Sequence, residues 1–348
     1  MAGEACRVRA MQVVKRRTLA IMKILFIGLD YHRYTKAISA ELEALGHEVT
    51  FHDIFARTPY YKALRFWPER QRQAYDRYHR GIIQHEAGKP YDMVLFLQCH
   101  QVSDDNLDLA RKTFPQARFV LYNWDSLHTH DYASKVRFFD TAFTFDRQDS
   151  IDLGIEYLPL FGLRDFQGLP AASASDPQIY FVGNIVNPDR YLAIDRFRSY
   201  CAQHGIAFDA FMAVRPPIVP KLLKVARPRG VSLKPISQKR FRAMVRDSSA
   251  TFDFGNHKQT GLTMRTIENL CARRKIVTTN PRACDHWFYS PDRILHVEAG
   301  DYDKVAPFLE TPLEKPERDF EEFHVQTFAR FLLSDRGHPS DGSRPEMP

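Results

Sequence analysis

The sequence predicts an α/β protein with two Rossmann-like domains, and three observations support that fold class. Short apolar runs alternate with helical stretches, which is the pattern of a parallel sheet covered by helices on both faces. This alternation occurs twice, before and after a segment rich in Gly, Pro, Ala and Ser at 162–178. With 348 residues and 44% hydrophobic content, the chain is long enough for two ordinary cores.

The first half opens with a β-α-β unit. The run KILFIGL at 23–29 is a continuous apolar strand, and KAISAELEALG at 36–46 has helical spacing and ends at a glycine. The strand pattern resumes in HEVTFHDI at 47–54. Four more apolar runs with the length of strands follow, at 93–98, 118–124, 141–146 and 155–161.

The second half repeats this plan. It begins with the strand IYFVGN at 179–184 and a helix near 189–204. GLTMRTIENLCARR at 261–274 predicts another helix, and RDFEEFHVQTFARFLLS at 318–334 predicts a final amphipathic one. The further predicted strands lie at 206–212, 230–233, 250–254, 275–280 and 293–298.

These patterns divide the chain into six segments. We place the domain boundary in the Gly/Pro/Ala/Ser-rich stretch because its composition is typical of a linker or a long surface loop. The segments are a disordered basic extension or artefactual start at 1–21, a first domain at 22–165, a linker at 166–178, a second domain at 179–312, a C-terminal helix at 313–334 and a disordered polar tail at 335–348.

Charge and cysteine content narrow the class of partner and the compartment. The net charge is +7, but the first 21 residues carry +4 of it, so the remaining balance is too mild to favour nucleic acid. The five cysteines are odd in number and lack metal-ligand spacing, which indicates reduced, packed thiols in the cytoplasm. No apolar run approaches the length needed to span a bilayer, and the N-terminus lacks a signal-peptide pattern.

A basic and aromatic segment at 60–83 has roughly helical spacing. The preferred interpretation is a solvated helix whose aromatic side chains face the core. The alternative is a patch for anionic lipid or for a lipid-linked diphosphate acceptor, which would give the protein a peripheral contact with the inner face of the membrane.

Open parallel sheets bind ligands outside the carboxyl ends of their strands, so the loops after strands are the candidate sites. The first such loop, GLDYHRYT at 28–35, has a single glycine and not the G-x-G-x-x-G pattern, which disfavours NAD and FAD. The sequence also lacks a P-loop motif. Asp30 and His32 in this loop can act as acid or base, although a surface or hydrogen-bonded role is commoner for a lone histidine.

In the second half, the strand TFDFG at 251–255 runs into a helix that starts near Gly261. The free N–H groups and positive end of such a helix favour a diphosphate. Lys258 before the helix and Arg265 one turn into it add positive charge. Glu268, two turns after Gly261, can accept hydrogen bonds from sugar hydroxyls. An ordinary amphipathic helix with its charges outside explains the same spacing equally well.

The stretch GLTMRTIENLCARRKIVTTN at 261–280 resembles the donor-site helix and following strand of group 1 glycosyltransferases of the GT-B fold. It is especially similar to the CgeB-like and capsular or exopolysaccharide transferases of bacteria. The resemblance covers most of residues 22–310. Five other segments agree in the same order: KILFIGLDYHRYT at 23–35, LYNWDS at 121–126, FDTAFTFDRQDS at 139–150, YLPLF at 157–161 and FVGNIVNPDR at 181–190.

The resemblance implies two Rossmann-like domains facing a cleft, with a nucleotide sugar held mainly by the second domain and the C-terminal helix packing back toward the first. By this likeness Glu268 matches the glutamate that holds the ribose or the sugar. Gly261 and Thr263 match the loop over the diphosphate. Gly183 and Arg190 match positions that approach the phosphates.

One position departs from the family pattern. Many retaining relatives carry two glutamates eight residues apart, whereas here Thr260 stands eight residues before Glu268. Gln259 or Thr260 must then contact the sugar hydroxyls, and retention or inversion stays open. The family also implies that neither a metal nor a cofactor takes part, and the sequence has no D-x-D beside an apolar strand.

An inverting reaction needs a base on the first domain's side of the cleft. Asp125, which follows the strand FVLYNW, is one candidate, and Asp30 and His32 are the others. A helix N-cap explains Asp125 equally well.

The function implied is transfer of a sugar from a nucleotide sugar to a saccharide or lipid-linked acceptor, in the synthesis of bacterial surface polysaccharide or glycoconjugate. Two rival functions are a GT-B-type sugar-nucleotide epimerase or hydrolase that uses the same donor site, and a non-catalytic GT-B-like binding protein.

Overall fold

A computed structural model describes residues 21–31, 33–170, 178–255 and 261–334. Two parallel six-stranded sheets form its framework, and this two-sheet α/β architecture confirms the predicted fold class. Within the described part of the chain, no helix is both long and apolar enough to cross a membrane.

The first sheet contains strands β1 (Lys23–Gly28), β2 (Glu48–Asp53), β3 (Met93–Leu97), β4 (Arg118–Asn123), β5 (Thr141–Thr144) and β6 (Glu156–Tyr157). Its spatial order is β2-β1-β3-β4-β5-β6. The central strands β1 and β3 are almost wholly buried because helices cover both faces, and their sequences are therefore continuous apolar runs. The helices of this half are α1 (Tyr34–Ala44), α2 (Pro59–Ala63), α3 (Pro68–Glu86), α4 (Asp104–Thr113) and α5 (Arg147–Leu153).

The second sheet contains β7 (Gln178–Ile185), β8 (Ala207–Val214), β9 (Val231–Ser232), β10 (Ala250–Asp253), β11 (Lys275–Thr278) and β12 (Ile294–His296). Its order is β12-β11-β10-β7-β8-β9. The accompanying helices are α6 (Pro188–Gln203), α7 (Val219–Leu223), α8 (Gln238–Asp247), α9 (Met264–Cys271), α10 (Val305–Glu310) and α11 (Val325–Leu333).

In both sheets the strand order reverses beside the first strand. β1 pairs with β2 on one side and β3 on the other, and β7 pairs with β8 and β10 in the same way. Helices diverge to opposite faces at such a point, which opens a crevice at the carboxyl ends of the strands. The topology thus places one candidate site beyond β1 and another beyond β7.

Three predicted elements are shorter in the structure. The helix predicted at 261–274 spans only Met264–Cys271 because Thr263 caps its first turn. The strand predicted at 155–161 is limited to Glu156–Tyr157, since Pro159 cannot donate a ladder hydrogen bond. The final helix begins at Val325, after a 3₁₀ turn at Glu321–Phe323.

One hydrophobic core runs through both halves of the molecule. It joins Tyr122 and Phe161 of the first half to Ile267 of α9 and to Phe328 of α11. The ring of Phe328 lies 4.7 Å from that of Tyr122 and 4.5 Å from that of Phe161. A guanidinium nitrogen of Arg118 also donates to a carbonyl of α11 at 2.8 Å. The last helix therefore packs against the first sheet, as predicted.

The chain crosses between the two sheets through a tight contact at Gly162. A Cβ on this residue would lie 2.6 Å from the sulfur of Cys271 in α9, so only a glycine fits. The carboxylate of Asp165 then forms ion pairs with Arg33 of the first half and with Arg242 of the second. Residues 171–177, within the predicted linker, lie outside the described residues, and the exact domain boundaries stay a prediction.

Candidate active site

A cleft of about 340 Å³ lies between the two halves at the carboxyl ends of their strands. The first half contributes Tyr31, Arg33 and Tyr34, and the second contributes Gly183, Phe241 and Arg265 among others. A larger cavity of about 790 Å³ lies at the β5–β6 edge of the first sheet and holds none of the predicted site residues. We therefore take the smaller cleft as the candidate site, because the strand ends and the predicted residues meet there.

Asp253, at the end of β10, fixes the start of α9. The hydroxyl of Thr263 lies 3.0 Å from the Asp253 carboxylate, and the hydroxyl of Thr266 donates to it at 2.8 Å. Burial raises the pKa of Asp253, whereas these hydrogen bonds and the charges of Arg190 and Arg265 oppose the rise. The side chain of Thr263 thus anchors the helix, and its predicted place over a diphosphate stays a prediction.

Gly261 joins the two halves of the molecule. Its N–H donates to Oδ2 of Asp146 at 3.0 Å, and the other oxygen of Asp146 caps α5. A Cβ at position 261 would lie 2.4 Å from the ring of Phe145, so this close approach requires glycine. The N–H of Gly261 is therefore engaged by the first half in this arrangement.

Glu268 is fully buried at the interface between the halves. One of its carboxylate oxygens accepts from the hydroxyl of Tyr34, and the other accepts from the guanidinium of Arg265. Burial raises the pKa of Glu268, and the Arg265 charge and the Tyr34 hydrogen bond oppose that rise. The carboxylate thereby holds two side chains that line the cleft.

Arg265 lies between Glu268 and the open cleft. Its guanidinium stacks over the ring of Phe241 at 4.2 Å from the centroid. Burial lowers its pKa, but the Glu268 carboxylate together with the nearby tyrosines raises it more, and the net shift is upward. A positive charge is therefore maintained at the cleft wall.

Arg190 places a second cation beside the end of β7. It lies in the first turn of α6, which Asn187 caps, and its guanidinium stacks 5.2 Å from the ring of Phe254. Burial lowers its pKa, and Asp253 opposes this shift. Within the described residues Arg190 has no ion-pair partner, and its buried Nε has no hydrogen-bond partner. Such a cation favours an anionic ligand.

Gly183 leaves the space that Arg190 uses. A Cβ at position 183 would lie 2.7 Å from the ring of Phe181 and 3.3 Å from Nη2 of Arg190. The absence of a side chain thus lets the guanidinium approach the strand end. Gly183 and Arg265 both line the cleft, and Arg190 lies directly beside Gly183.

Asp125 lies on the opposite side, after β4. The amide of Gln98 donates to its carboxylate, and Nε2 of His130 lies 4.0 Å from the same oxygen. Burial raises the pKa of Asp125, while His130 and Gln98 oppose the rise. Gln98 has a φ of 66°, an uncommon conformation for a residue other than glycine. Uncommon backbone conformations of this kind cluster at functional sites, so the conformation of Gln98 is consistent with a functional role for Asp125.

His130 is part of a stacked histidine pair. Its ring lies 3.8 Å from that of His100 with an interplanar angle of 10°. Burial and the neighbouring His130 lower the pKa of His100 to about 4. His100 is therefore neutral at neutral pH, and its buried Nδ1 has no hydrogen-bond partner in the described part of the structure.

The other predicted residues are less informative. Asp30 is tied to Arg57, whose guanidinium lies 3.6 Å from the Asp30 carboxylate. His32, Lys258, Gln259 and Thr260 lie outside the described residues, so their predicted roles stay predictions. Among the described residues, no group of three His, Cys, Asp or Glu side chains is arranged to hold a metal ion.

Tyr31 links the two sides of the cleft and was missed by sequence reasoning. Its ring lies 6.0 Å from those of Tyr34 and Trp124. Burial raises its pKa, Arg265 lowers it, and Glu268 and Asp125 raise it further. Tyr31 thus responds to charges from both halves.

Sequence reasoning also missed Tyr34, Asp253, Gln98 and His130. Asp253 ends β10 and Gln98 directly follows β3. The rule that ligands bind beyond strand ends identifies these two positions, provided that it is applied to every strand. No local signal marks Tyr34 or His130, because each acquires its role from a distant partner.

Comparison with known proteins identifies the fold of this chain. No family model and no curated protein matches the sequence. Among solved structures, the chain is similar to a UDP-forming α,α-trehalose-phosphate synthase from Burkholderia xenovorans in complex with glucose-6-phosphate. The TM-score is 0.60 and the sequence identity is 13%, and the match covers 90% of this chain and 100% of that one. The lipopolysaccharide outer core galactosyltransferase WaaB gives a TM-score of 0.56 and 13% identity over 90% and 99% of the two chains. The chain has the GT-B fold.

The GT-B fold is shared by more than one activity. A protein described as a putative UDP-N-acetylglucosamine 2-epimerase from Listeria monocytogenes matches with a TM-score of 0.54 and 11% identity, over 90% of this chain and 95% of that one. At these identities the likeness establishes the GT-B fold alone. The resemblance to the CgeB-like and capsular type stays a prediction.

Proposed function

We propose that this GT-B protein is a glycosyltransferase of the CgeB-like or capsular type. It moves a sugar from a nucleotide-sugar donor to a saccharide or lipid-linked acceptor, in the synthesis of bacterial surface polysaccharide or glycoconjugate. The observation that carries the proposal is the convergence of Arg190 and Arg265 at the ends of β7 and β10. Both guanidiniums lie close enough to the buried carboxylate of Asp253 to oppose the rise of its pKa, and Arg265 also lines the cleft.

The two arginines fit the electrostatics of glycosyl transfer. As the bond between the anomeric carbon and the diphosphate oxygen breaks, negative charge grows on the diphosphate and oxocarbenium character grows on the sugar. Fixed cations in a partly buried site stabilise that charge without reorganising. Because two guanidiniums supply this positive charge, we propose that the reaction needs neither a metal nor a cofactor.

Glu268 holds two of the side chains that line the cleft. By the family likeness it contacts the ribose or the sugar, and its bonds to Tyr34 and Arg265 fix the orientation of both cleft-lining side chains. We therefore propose that Glu268 acts on the donor by positioning Arg265, and its direct contact with the ribose or the sugar stays a prediction. Gln259 or Thr260 supplies the remaining contacts with the sugar hydroxyls.

Asp125 is the best-supported base for an inverting reaction. Its raised pKa brings its basicity closer to neutral, where a general base works best. The carboxylate would take the proton of the acceptor hydroxyl as that oxygen attacks the anomeric carbon. Asp30 is a weaker candidate because Arg57 already neutralises it.

The buried thiols support a proposal for the compartment. Cys99, Cys201 and Cys271 are free and buried, and burial raises the pKa of each. Unreactive thiols of this kind suit a reducing environment, and we propose a cytoplasmic location.

The decisive experiment measures donor binding and turnover together. We expect a nucleoside diphosphate and its sugar conjugate to raise the midpoint of thermal unfolding, since a ligand at 100 times its Kd stabilises the native state by about 2.7 kcal/mol. Absence of binding by calorimetry at millimolar ligand would instead favour a non-catalytic GT-B-like protein.

Turnover separates the remaining enzyme functions. A transferase consumes the nucleotide sugar in step with an added acceptor. Conversion of the nucleotide sugar at the same rate without any acceptor would favour the epimerase or hydrolase, an activity for which one structural neighbour is named.

A further inference from the structure

Three large aromatic side chains are exposed in the segment that runs from α2 to the start of α3. Tyr60, Phe66 and Trp67 are 57%, 67% and 53% exposed. Other aromatic residues of the same segment turn inward, and the rings of Tyr61 and Tyr75 lie 5.1 Å apart. The sequence-based interpretation that these aromatics face the core therefore holds for only part of the set. We call residues 60–70, together with Arg77 and Arg80, the aromatic-basic tip.

The aromatic-basic tip has a net positive charge, and Glu69 is its one acidic residue. Among the described residues, five exposed cations of this segment have no ion-pair partner: Lys62, Arg65, Arg70, Arg77 and Arg80. The two acidic residues nearby are already engaged, since Arg72 pairs with Glu69 at 2.6 Å and approaches Asp76 at 3.9 Å. The guanidinium of Arg65 also lies 4.6 Å from the ring centroid of Phe66, so cations and aromatic rings share one surface.

Helix α3, which carries part of the aromatic-basic tip, contacts the carboxyl end of β2. The hydroxyl of Tyr78 donates to the carbonyl of Asp53, the last residue of β2, at 2.7 Å. A ring nitrogen of His79 lies 2.9 Å from the next carbonyl. The ten residues of α3 before Tyr78, about 15 Å of helix at 1.5 Å per residue, thus precede the point at which α3 contacts the carboxyl end of β2.

This end of the sheet is also where the cleft opens. Arg57, just before α2, forms a hydrogen bond with the backbone of Asp30, and the next residue, Tyr31, lines the cleft. The tip and the cleft mouth are therefore neighbours on one side of the first half.

We propose that the aromatic-basic tip docks on the surface of an anionic lipid bilayer and turns the mouth of the cleft toward it. Trp and Tyr side chains favour the headgroup region of a membrane. Each cation near an anionic surface strengthens binding by about fivefold. A surface with a net positive charge and three exposed rings suits contact with an anionic bilayer. This inference is independent of the proposed donor site.

The test is co-sedimentation of the full chain with vesicles. We expect binding to phosphatidylglycerol-containing vesicles, weaker binding at high salt, and little binding to pure phosphatidylcholine. The double variants Phe66→Ser with Trp67→Ser, and Arg65→Glu with Arg70→Glu, should each lower the partition coefficient by about tenfold or more. These side chains are exposed, so unfolding midpoints should not change.

Matched controls lie on the second half of the molecule. Trp287 is exposed to nearly the same extent as Trp67, and Arg215 and Arg227 are exposed cations. Trp287→Ser, and Arg215→Glu with Arg227→Glu, should leave vesicle binding within about twofold. The proposal is overturned if the chain does not bind anionic vesicles, or if the tip variants bind as the wild type does.

Two further measurements distinguish bilayer binding from general polyanion binding and from binding at the donor site. If heparin binds as tightly as anionic vesicles and the Phe66→Ser, Trp67→Ser variant loses neither, the tip recognises polyanions and the bilayer proposal fails. Binding of a nucleoside diphosphate should be unchanged in every tip variant, so a failed donor site and a failed membrane surface give different results.

Discussion

The hydroxyl of Tyr34 in α1 donates a hydrogen bond to the carboxylate of Glu268 in α9. This bond crosses the interface between the two halves and ends on a fully buried charge. The residue that the family likeness assigns to the donor is therefore also a link between the domains. Changes at either end should alter stability and donor binding together.

Tyr34→Phe should destabilise the protein by about 1.5–3 kcal/mol, because a buried carboxylate loses a donor. The midpoint of urea unfolding measures this effect. Tyr60→Phe is the matched control, since that ring is exposed, and it should change the free energy of unfolding by less than about 0.5 kcal/mol. Equal stability of the two variants would mean that the Tyr34 bond contributes nothing.

Glu268→Gln should fold and lose transfer activity, because the amide keeps the shape of the side chain but not its charge. Glu268→Ala is a poorer test, since it removes a fully buried side chain and leaves Arg265 without its ion-pair partner, which also lowers stability. Turnover should be measured beside circular dichroism for both variants. Wild-type turnover in Glu268→Gln would show that the donor site has been assigned wrongly.

Arg190→Ala should weaken binding of a nucleoside diphosphate by about ten- to hundredfold, the value of one or more charge-assisted hydrogen bonds. Calorimetry measures this loss directly. Arg196→Ala is the control, because Arg196 lies on the same helix but is exposed, whereas Arg190 lies beside Gly183 at the end of β7. Equal affinities of the two variants would contradict the phosphate role of Arg190.

Asp125 should set the acid limb of the pH profile of kcat/KM if the reaction inverts. A base works when deprotonated, and burial raises the pKa of Asp125, so activity should fall at a higher pH than an ordinary aspartate would give. Asp125→Asn should remove this limb and lower kcat/KM by about 10²- to 10⁴-fold. Asp30→Asn should keep the limb. A limb that persists in Asp125→Asn would assign the base elsewhere.

Gly261→Ala should destabilise the protein by about 1–3 kcal/mol, because the added methyl group would lie 2.4 Å from the Phe145 ring and force the halves apart. Gly81→Ala is the control. Position 81 lies within a helix with open space around it, and alanine there should stabilise by about 0.4–1 kcal/mol. Chemical denaturation of both variants checks the opposite signs.

The fold could be predicted largely from the sequence because its strands are buried on both faces. KILFIG and MVLFL are continuous apolar runs, and the structure makes them the neighbouring central strands β1 and β3. The residue at which a strand such as β6 ends could not be predicted from its apolar pattern. The apolar run continues through Phe161, whose burial comes from the core between the halves and not from the sheet.

The site could be predicted only where its signals are local. Arg265 and Glu268 could be predicted because they lie about one and two turns after Gly261 on one predicted helix. Tyr34 was not, since it lies 234 residues from Glu268 along the chain, and nothing in its own neighbourhood marks that partnership. The start of α9 was missed for a similar reason, because Thr263 forms its cap with Asp253, ten residues earlier.

The position of α11 has a consequence for the order in which the protein matures during synthesis. The helix is made after both sheets, yet it covers Tyr122 and Phe161 near the first sheet. While the ribosome is still translating the second half, the apolar surface of the first half has no cover from this helix. The first half therefore emerges early but completes its burial only when residues 325–333 have left the exit tunnel.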